Sequence, residues 1–233
     1  MEMTPELKRQ IVESLPEWVE REPRLRRRLQ AALQQSENAA PYFDTFAEFI
    51  EWVDEDVSAE WVKGAVVYTS PASTVHQLLC GFLQQIIGVF VQERHLGAVL
   101  AAPYKMKLPE YGPEPDLVFV SNENRTQLTD TFLDGPADLV IEIISPESVG
   151  RDRGDKFMAY ETAAIPEYWL IDPIRQQAEF YLLDENGRYQ LSRLDEDGRF
   201  HSQTIPGLWV KPDWFWADPL PSVVNILRQL EII

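Results

Sequence analysis

Glu142 constrains this chain more than any other residue. It stands inside Leu139-Val140-Ile141-Glu142-Ile143-Ile144, a run otherwise apolar and patterned like a strand buried on both faces. An unpaired carboxylate in such a place costs several kcal/mol or takes up a proton. Something in the fold must compensate it: a cation, a lysine or a set of hydrogen-bond donors.

The segments around that strand follow a readable order. Residues 1–40 read as a separate helical extension, with Leu7, Ile11, Leu15 and Val19 at helical spacing and an Arg24, Arg26, Arg27, Arg28 cluster. Residues 41–233 read as one domain. It opens with a short acidic helix over 41–57 that carries Phe46, Phe49, Ile50 and Val53 on one side. Glu60 to Tyr68 reads as a hairpin turning at Lys63-Gly64. Ser73 or Thr74 can cap a helix that runs to about Glu93, apolar over much of its circumference and so expected against a sheet.

Strand patterns then cover Ala98–Leu108, Asp116–Ser121, Asp138–Ile144 and Tyr168–Asp172. A helix is expected over Arg153–Ala163, ending before Ile165-Pro166, where proline disfavours helix in the residue before it. Strands at Gln177–Leu183 and Tyr189–Leu194, an aromatic tail and a last helix near Pro221–Leu230 complete the series. The order predicts an α/β fold, a mixed central sheet flanked by helices.

Composition narrows the function. The 233 residues carry 21 Lys and Arg against 38 Asp and Glu, a net charge of −17. Residues 1–40 hold seven acidic and seven basic residues, so the whole excess falls on the remainder. Phosphate binding needs cations, which argues against broad nucleic-acid binding by the whole surface but leaves room for a local groove. The Arg cluster of the extension reads as a solvated face, an ion-pair partner for the acidic body, or a nucleic-acid contact. Cys80 has no internal partner and reads as an inert core thiol. The longest apolar stretch, Leu78 to Val91, is too short to span a bilayer, and Met1 to Gln10 has no apolar signal core; a cytoplasmic location is expected.

Three residues stand out for chemistry. Asp116 opens a strand after the rigid Pro113-Glu114-Pro115, and with Glu142 on a neighbouring strand it could offer oxygens to one hard divalent metal, Mg²⁺ foremost. Lys156 sits early in a helix, against the helix dipole. It reads either as a surface partner of Asp152 or as a stabiliser of negative charge on a phosphoryl group. Tyr160 shares its face. His76, near a helix start, reads as a structural hydrogen bonder or an accessory group. His95 and His201 show no ligand spacing, and neither a Gly-rich phosphate loop nor a Gly-x-Ser-x-Gly elbow is present.

These elements occur in a recognisable order: Glu60-Trp-Val-Lys-Gly64, Ser70-Pro71 with His76, and Pro115-Asp116-Leu-Val-Phe-Val. Asp138-Leu-Val-Ile-Glu142-Ile-Ile-Ser145-Pro146, Arg151-Asp152 through Lys156 to Tyr160, and Pro166-Glu167-Tyr168-Trp169-Leu-Ile-Asp172-Pro173 follow. The set resembles the Uma-two family of putative restriction endonucleases, within the PD-(D/E)XK nuclease-like superfamily, over about residues 42–215. The resemblance implies a restriction-endonuclease-like core and a Mg²⁺- or Mn²⁺-dependent endonuclease, a hydrolase of DNA rather than RNA. It implies Asp116 and Glu142 as metal ligands, Lys156 as the catalytic lysine, and Glu60 near the site. One departure is plain: the superfamily's lysine stands two places after its glutamate, where this chain has Ile144.

That departure and the net acidity leave a second reading open, a nuclease fold kept as a binding or assembly module without catalysis. A homo-oligomer built through the N-terminal extension or through Trp209, Trp214, Phe215 and Trp216 is a further expectation, although such aromatics also suit a core.

Overall fold

The computed structural model describes residues 41–54, 57–146 and 148–233. The helical extension expected over residues 1–40, with its Arg24–Arg28 cluster, lies outside the described residues. In chain order the elements are α1 (Phe46–Trp52), β1 (Ala59–Val62), β2 (Ala65–Tyr68), α2 (Thr74–Glu93), β3 (Gly97–Ala101), β4 (Lys105–Met106), β5 (Tyr111–Gly112) and β6 (Leu117–Ser121). They continue with β7 (Phe132–Leu133), β8 (Leu139–Ile143), α3 (Lys156–Thr162), β9 (Glu167–Asp172), β10 (Gln177–Leu183), β11 (Tyr189–Leu191), β12 (Phe200–His201), β13 (Trp209–Val210) and α4 (Val223–Gln229). Two compact units result. One takes in the described residues up to Thr69 with Glu110–Gly112; the other takes in Ser70–Pro109 and Pro113–Ile233.

In the smaller unit, α1 begins with a capping box. Thr45 Oγ1 accepts the Glu48 N–H at 3.2 Å, and Glu48 Oε2 accepts the Thr45 N–H at 3.1 Å. The helix buries Phe46, Phe49 and Trp52, which pack with Phe43 and Trp61. Its sheet has the order β2-β1-β5. The expected hairpin is present, and its two turn residues both take positive φ, 47° at Lys63 and 92° at Gly64. Such a turn matches the twist of the strands it joins, and glycine adopts it without strain.

The larger unit carries a six-stranded sheet in the order β11-β10-β9-β8-β6-β3. β8 and β9 run parallel, while every other neighbouring pair is antiparallel. Ser73 caps α2 by accepting the His76 N–H at 3.2 Å. The apolar stretch expected to stop at Leu78–Val91 is part of a 20-residue helix, long and apolar enough by composition to cross a bilayer. Its Leu79, Phe82, Leu83, Ile86, Ile87 and Phe90 instead form the core with Leu117, Phe119, Ile141, Ile143, Trp169 and Ile171 of the sheet. Alternation sends Val140, Glu142, Tyr168 and Tyr181 to the opposite face. There α3 packs through Phe157 and Tyr160, whose rings lie 5.0 Å from Tyr181 and 5.1 Å from Tyr168.

Some expectations change in detail. The run Ala98–Leu108 breaks into β3 and β4 around Pro103, which has no N–H for a ladder. The two-residue strands β4, β5, β7, β12 and β13 carry too few residues for an alternating pattern to be read. The aromatic tail is part of the core: Trp214 and Phe215 are buried in it, and Trp209 and Trp216 pack against it.

Candidate active site

The site begins with strand register. β6 and β8 pair with Leu117 opposite Ile141 and Val118 opposite Val140. One step further along the same antiparallel register, Asp116 stands across from Glu142. The link is direct: Asp116 Oδ2 accepts the main-chain N–H of Ile143 at 2.7 Å, so the first carboxylate is bonded to the residue next to the second.

Glu142 is compensated from the helix above it. The parallel register sets it beside Leu170 of β9, and α3 covers that face. Lys156 Nζ donates to Glu142 Oε1 at 2.9 Å, and the Tyr160 hydroxyl donates to the same oxygen at 2.6 Å. Lys156 and Tyr160 are one helical turn apart, which is why one carboxylate can receive both. The lysine and glutamate side chains are only 6% and 4% exposed, so the pair is shielded from water. The expectation of a surface pair between Lys156 and Asp152 is corrected in one respect. The pair exists, at 3.6 Å, but it is buried, and Glu142 is the lysine's nearer partner.

The segment before α3 explains how Asp152 arrives. Residues Arg151–Asp155 form a single π turn, closed by the Lys156 N–H bonding to the carbonyl of Arg151. The wider turn replaces the regular helix expected from Arg153 onward and shifts the residues before it relative to α3. Asp152 is buried, and its carbonyl accepts the Tyr168 hydroxyl at 3.1 Å. It joins the site as a third carboxylate that sequence reasoning treated only as a surface partner. The Asp152–Lys156 spacing of four was the available signal.

His76 also joins. From the first turn of α2 its Nε2 lies 3.1 Å from Asp116 Oδ2, and its Nδ1 lies 3.5 Å from Cys80 Sγ. Burial, the largest single influence, disfavours its charge. The hydrogen bond and charge of Asp116, followed by the charge of Asp152, outweigh burial and leave the imidazole pKa above its ordinary value. The Cys80 thiol is raised as well: burial, and then the charges of Asp116 and Glu142, push it far up. Cys80 is half-buried and packs against the core. His76, Cys80 and Asp116 nevertheless offer donor atoms all within 4.8 Å of one another.

Glu60, expected near the site, is buried in the smaller unit, where its Oε2 accepts the Tyr111 hydroxyl at 2.9 Å. Ile144, at the usual lysine position, is buried and donates its N–H to the Ile171 carbonyl at 2.7 Å. Ser145 belongs to a strand-ending turn, with its N–H on Ser148 Oγ at 2.9 Å. The fold thus brings together Asp116, Glu142, Lys156, Tyr160, His76 and Asp152: three carboxylates, an ammonium, a phenol and an imidazole.

Comparison with known proteins agrees with this architecture. The family model described as "Uma2: Putative restriction endonuclease" matches residues 46–217. The crystal structure of a protein from Anabaena variabilis, described as a putative nuclease belonging to DUF820, aligns with a TM-score of 0.63. The alignment has 15% sequence identity and covers 74% of this chain and 97% of that one, a likeness of fold. No curated protein matches the chain.

Proposed function

The chain belongs to the Uma2 family of putative restriction endonucleases, and from that premise we propose that it is a metal-dependent endonuclease hydrolysing phosphodiester bonds of DNA. The observation that carries this reading is the meeting of Asp116 and Glu142 across β6 and β8, with Lys156 on the second of them. Phosphoryl transfer asks a protein for little covalent chemistry; it asks for positioned charge.

The residues fit a hard divalent cation. Asp116 offers a hard carboxylate donor on a side chain that is 16% exposed. Asp116 and Glu142 would hold Mg²⁺ or Mn²⁺. Such an ion, when bound, polarises a phosphoryl oxygen and acidifies a coordinated water. Lys156 places a positive charge beside the carboxylates, where negative charge grows on the phosphate as the bond breaks. Tyr160 holds the Glu142 carboxylate in one orientation. DNA is favoured over RNA because restriction endonucleases act on DNA.

Plasmid cleavage with Mg²⁺ or Mn²⁺ tests this. Asp116→Ala, Glu142→Gln and Lys156→Ala should each lower the rate by roughly 100-fold or more. Unchanged cleavage in all three overturns it.

A second reading has one observation in its favour. Lys156 and Tyr160 already bond Glu142 within the protein, so the buried carboxylate is compensated without an ion. A non-catalytic module would show no rise in melting temperature with Mg²⁺ or Mn²⁺, whereas an ion bound to the folded state must raise it.

A further inference from the structure

We propose that His76 is a third ligand of this metal site, and that its nitrogen turns the site's preference from Mg²⁺ toward transition ions such as Mn²⁺. The proposal rests on the reading of Asp116 and Glu142 as metal-holding carboxylates and adds an identity for the ion.

Spacing is the first argument. Two donor atoms each about 2.1 Å from one ion, at the right angle of an octahedral site, lie about 3.0 Å apart. His76 Nε2 and Asp116 Oδ2 are 3.1 Å apart. The separation that serves a hydrogen bond serves a shared ion equally well.

Support of the ring is the second. A ligating histidine works best when its other nitrogen has a partner that fixes the ring's orientation. Nδ1 faces Cys80 Sγ at 3.5 Å, one helical turn further along α2. The thiol thus stands where a partner for the second ring nitrogen is needed. The Ser73 cap on the His76 N–H holds the first turn of α2 in place, so both the backbone and the ring are set before any ion arrives.

Donor chemistry is the third. Carboxylates alone suit Mg²⁺, Ca²⁺ and Mn²⁺ alike, but imidazole adds affinity only for the transition ions. A site of Asp116, Glu142 and His76 therefore discriminates, where one of two carboxylates would not.

The test is pulsed electron paramagnetic resonance of the Mn²⁺-loaded full-length protein. Nitrogen modulation from a coordinated imidazole is expected; it should change when histidine is ¹⁵N-labelled and vanish in His76→Gln. Calorimetry should show Mn²⁺ binding weakened by roughly 10-fold or more in His76→Gln, with Mg²⁺ binding changed far less. Bound Mn²⁺ with no nitrogen modulation in the wild type overturns this proposal and leaves the carboxylate site standing. Absence of any Mn²⁺ binding removes both. The spectrum of the wild type decides the matter even if His76→Gln fails to fold.

Discussion

Lys156 Nζ and Glu142 Oε1 lie 2.9 Å apart beneath α3, with both side chains almost fully withdrawn from water. A buried pair of this kind adds little net stability over an apolar pair of the same size, but removing one partner strands the other charge.

Lys156→Met should therefore cost about 3–5 kcal/mol in urea unfolding without divalent metal. The double variant Lys156→Met with Glu142→Gln should recover much of the loss, since no uncompensated charge is left. A double variant as unstable as the sum of its parts would show that the two residues do not act as a pair.

Tyr160→Phe removes a hydrogen bond to Glu142 Oε1 and leaves the ring among Tyr168 and its neighbours. The expected loss is about 1.5–3 kcal/mol, the range for hydrogen bonds to a charged group. Catalysis should fall less than in Lys156→Ala, because the phenol orients the carboxylate and carries no charge to the phosphate. Cleavage rates of the two variants side by side check the order.

His76 gives a pH dependence with a definite sign. Asp116 and Asp152 raise its folded pKa above the ordinary 6.5 despite the opposing burial. The folded state therefore holds the proton more tightly than the unfolded state. This contribution is fully present below pH 6.5 and is lost as pH rises through the higher folded value. In chelator, the stability of the wild type relative to His76→Gln should shrink on the alkaline side of that pH. A difference that grows with pH contradicts the assignment.

Glu167 is fully buried at the start of β9. Its Oε1 accepts the Trp169 indole N–H at 2.6 Å, and its Oε2 gathers the Gln203 and Thr204 N–H groups at 2.8 and 3.0 Å with the Ser202 hydroxyl at 3.1 Å. Glu167→Ala should cost about 3 kcal/mol or more, because several buried donors lose a charged acceptor at once. Hydrogen exchange should quicken at residues 202–205 ahead of the sheet. Unchanged protection there would show that the carboxylate is not what holds this segment.

Much of this was legible in the chain. Glu142 was conspicuous because a period-two apolar run leaves no cheap place for a carboxylate, and its need for a lysine or donors followed. The hairpin at Lys63-Gly64 and the cap at Ser73 were legible because turn and cap chemistry is local. The depth of Lys156 was not. A helix lysine four residues from an aspartate looks the same on a surface as in a core, and only packing under α3 distinguishes them. Nor could the π turn be read, since one extra residue in a helical turn leaves no mark on apolar spacing.

By itself, then, the amino-acid order determined the longer strands and helices and which side chains could not be left alone, because those follow from propensity, periodicity and the cost of burying charge. Tertiary structure alone decided the company those side chains keep. His76, Asp116, Glu142 and Lys156 come from a helix start, two strands and a second helix, and their meeting depends on a register of β6 against β8 and on the placement of two helices over opposite faces of one sheet. Those are long-range distances, and local spacing in a chain carries no information about them.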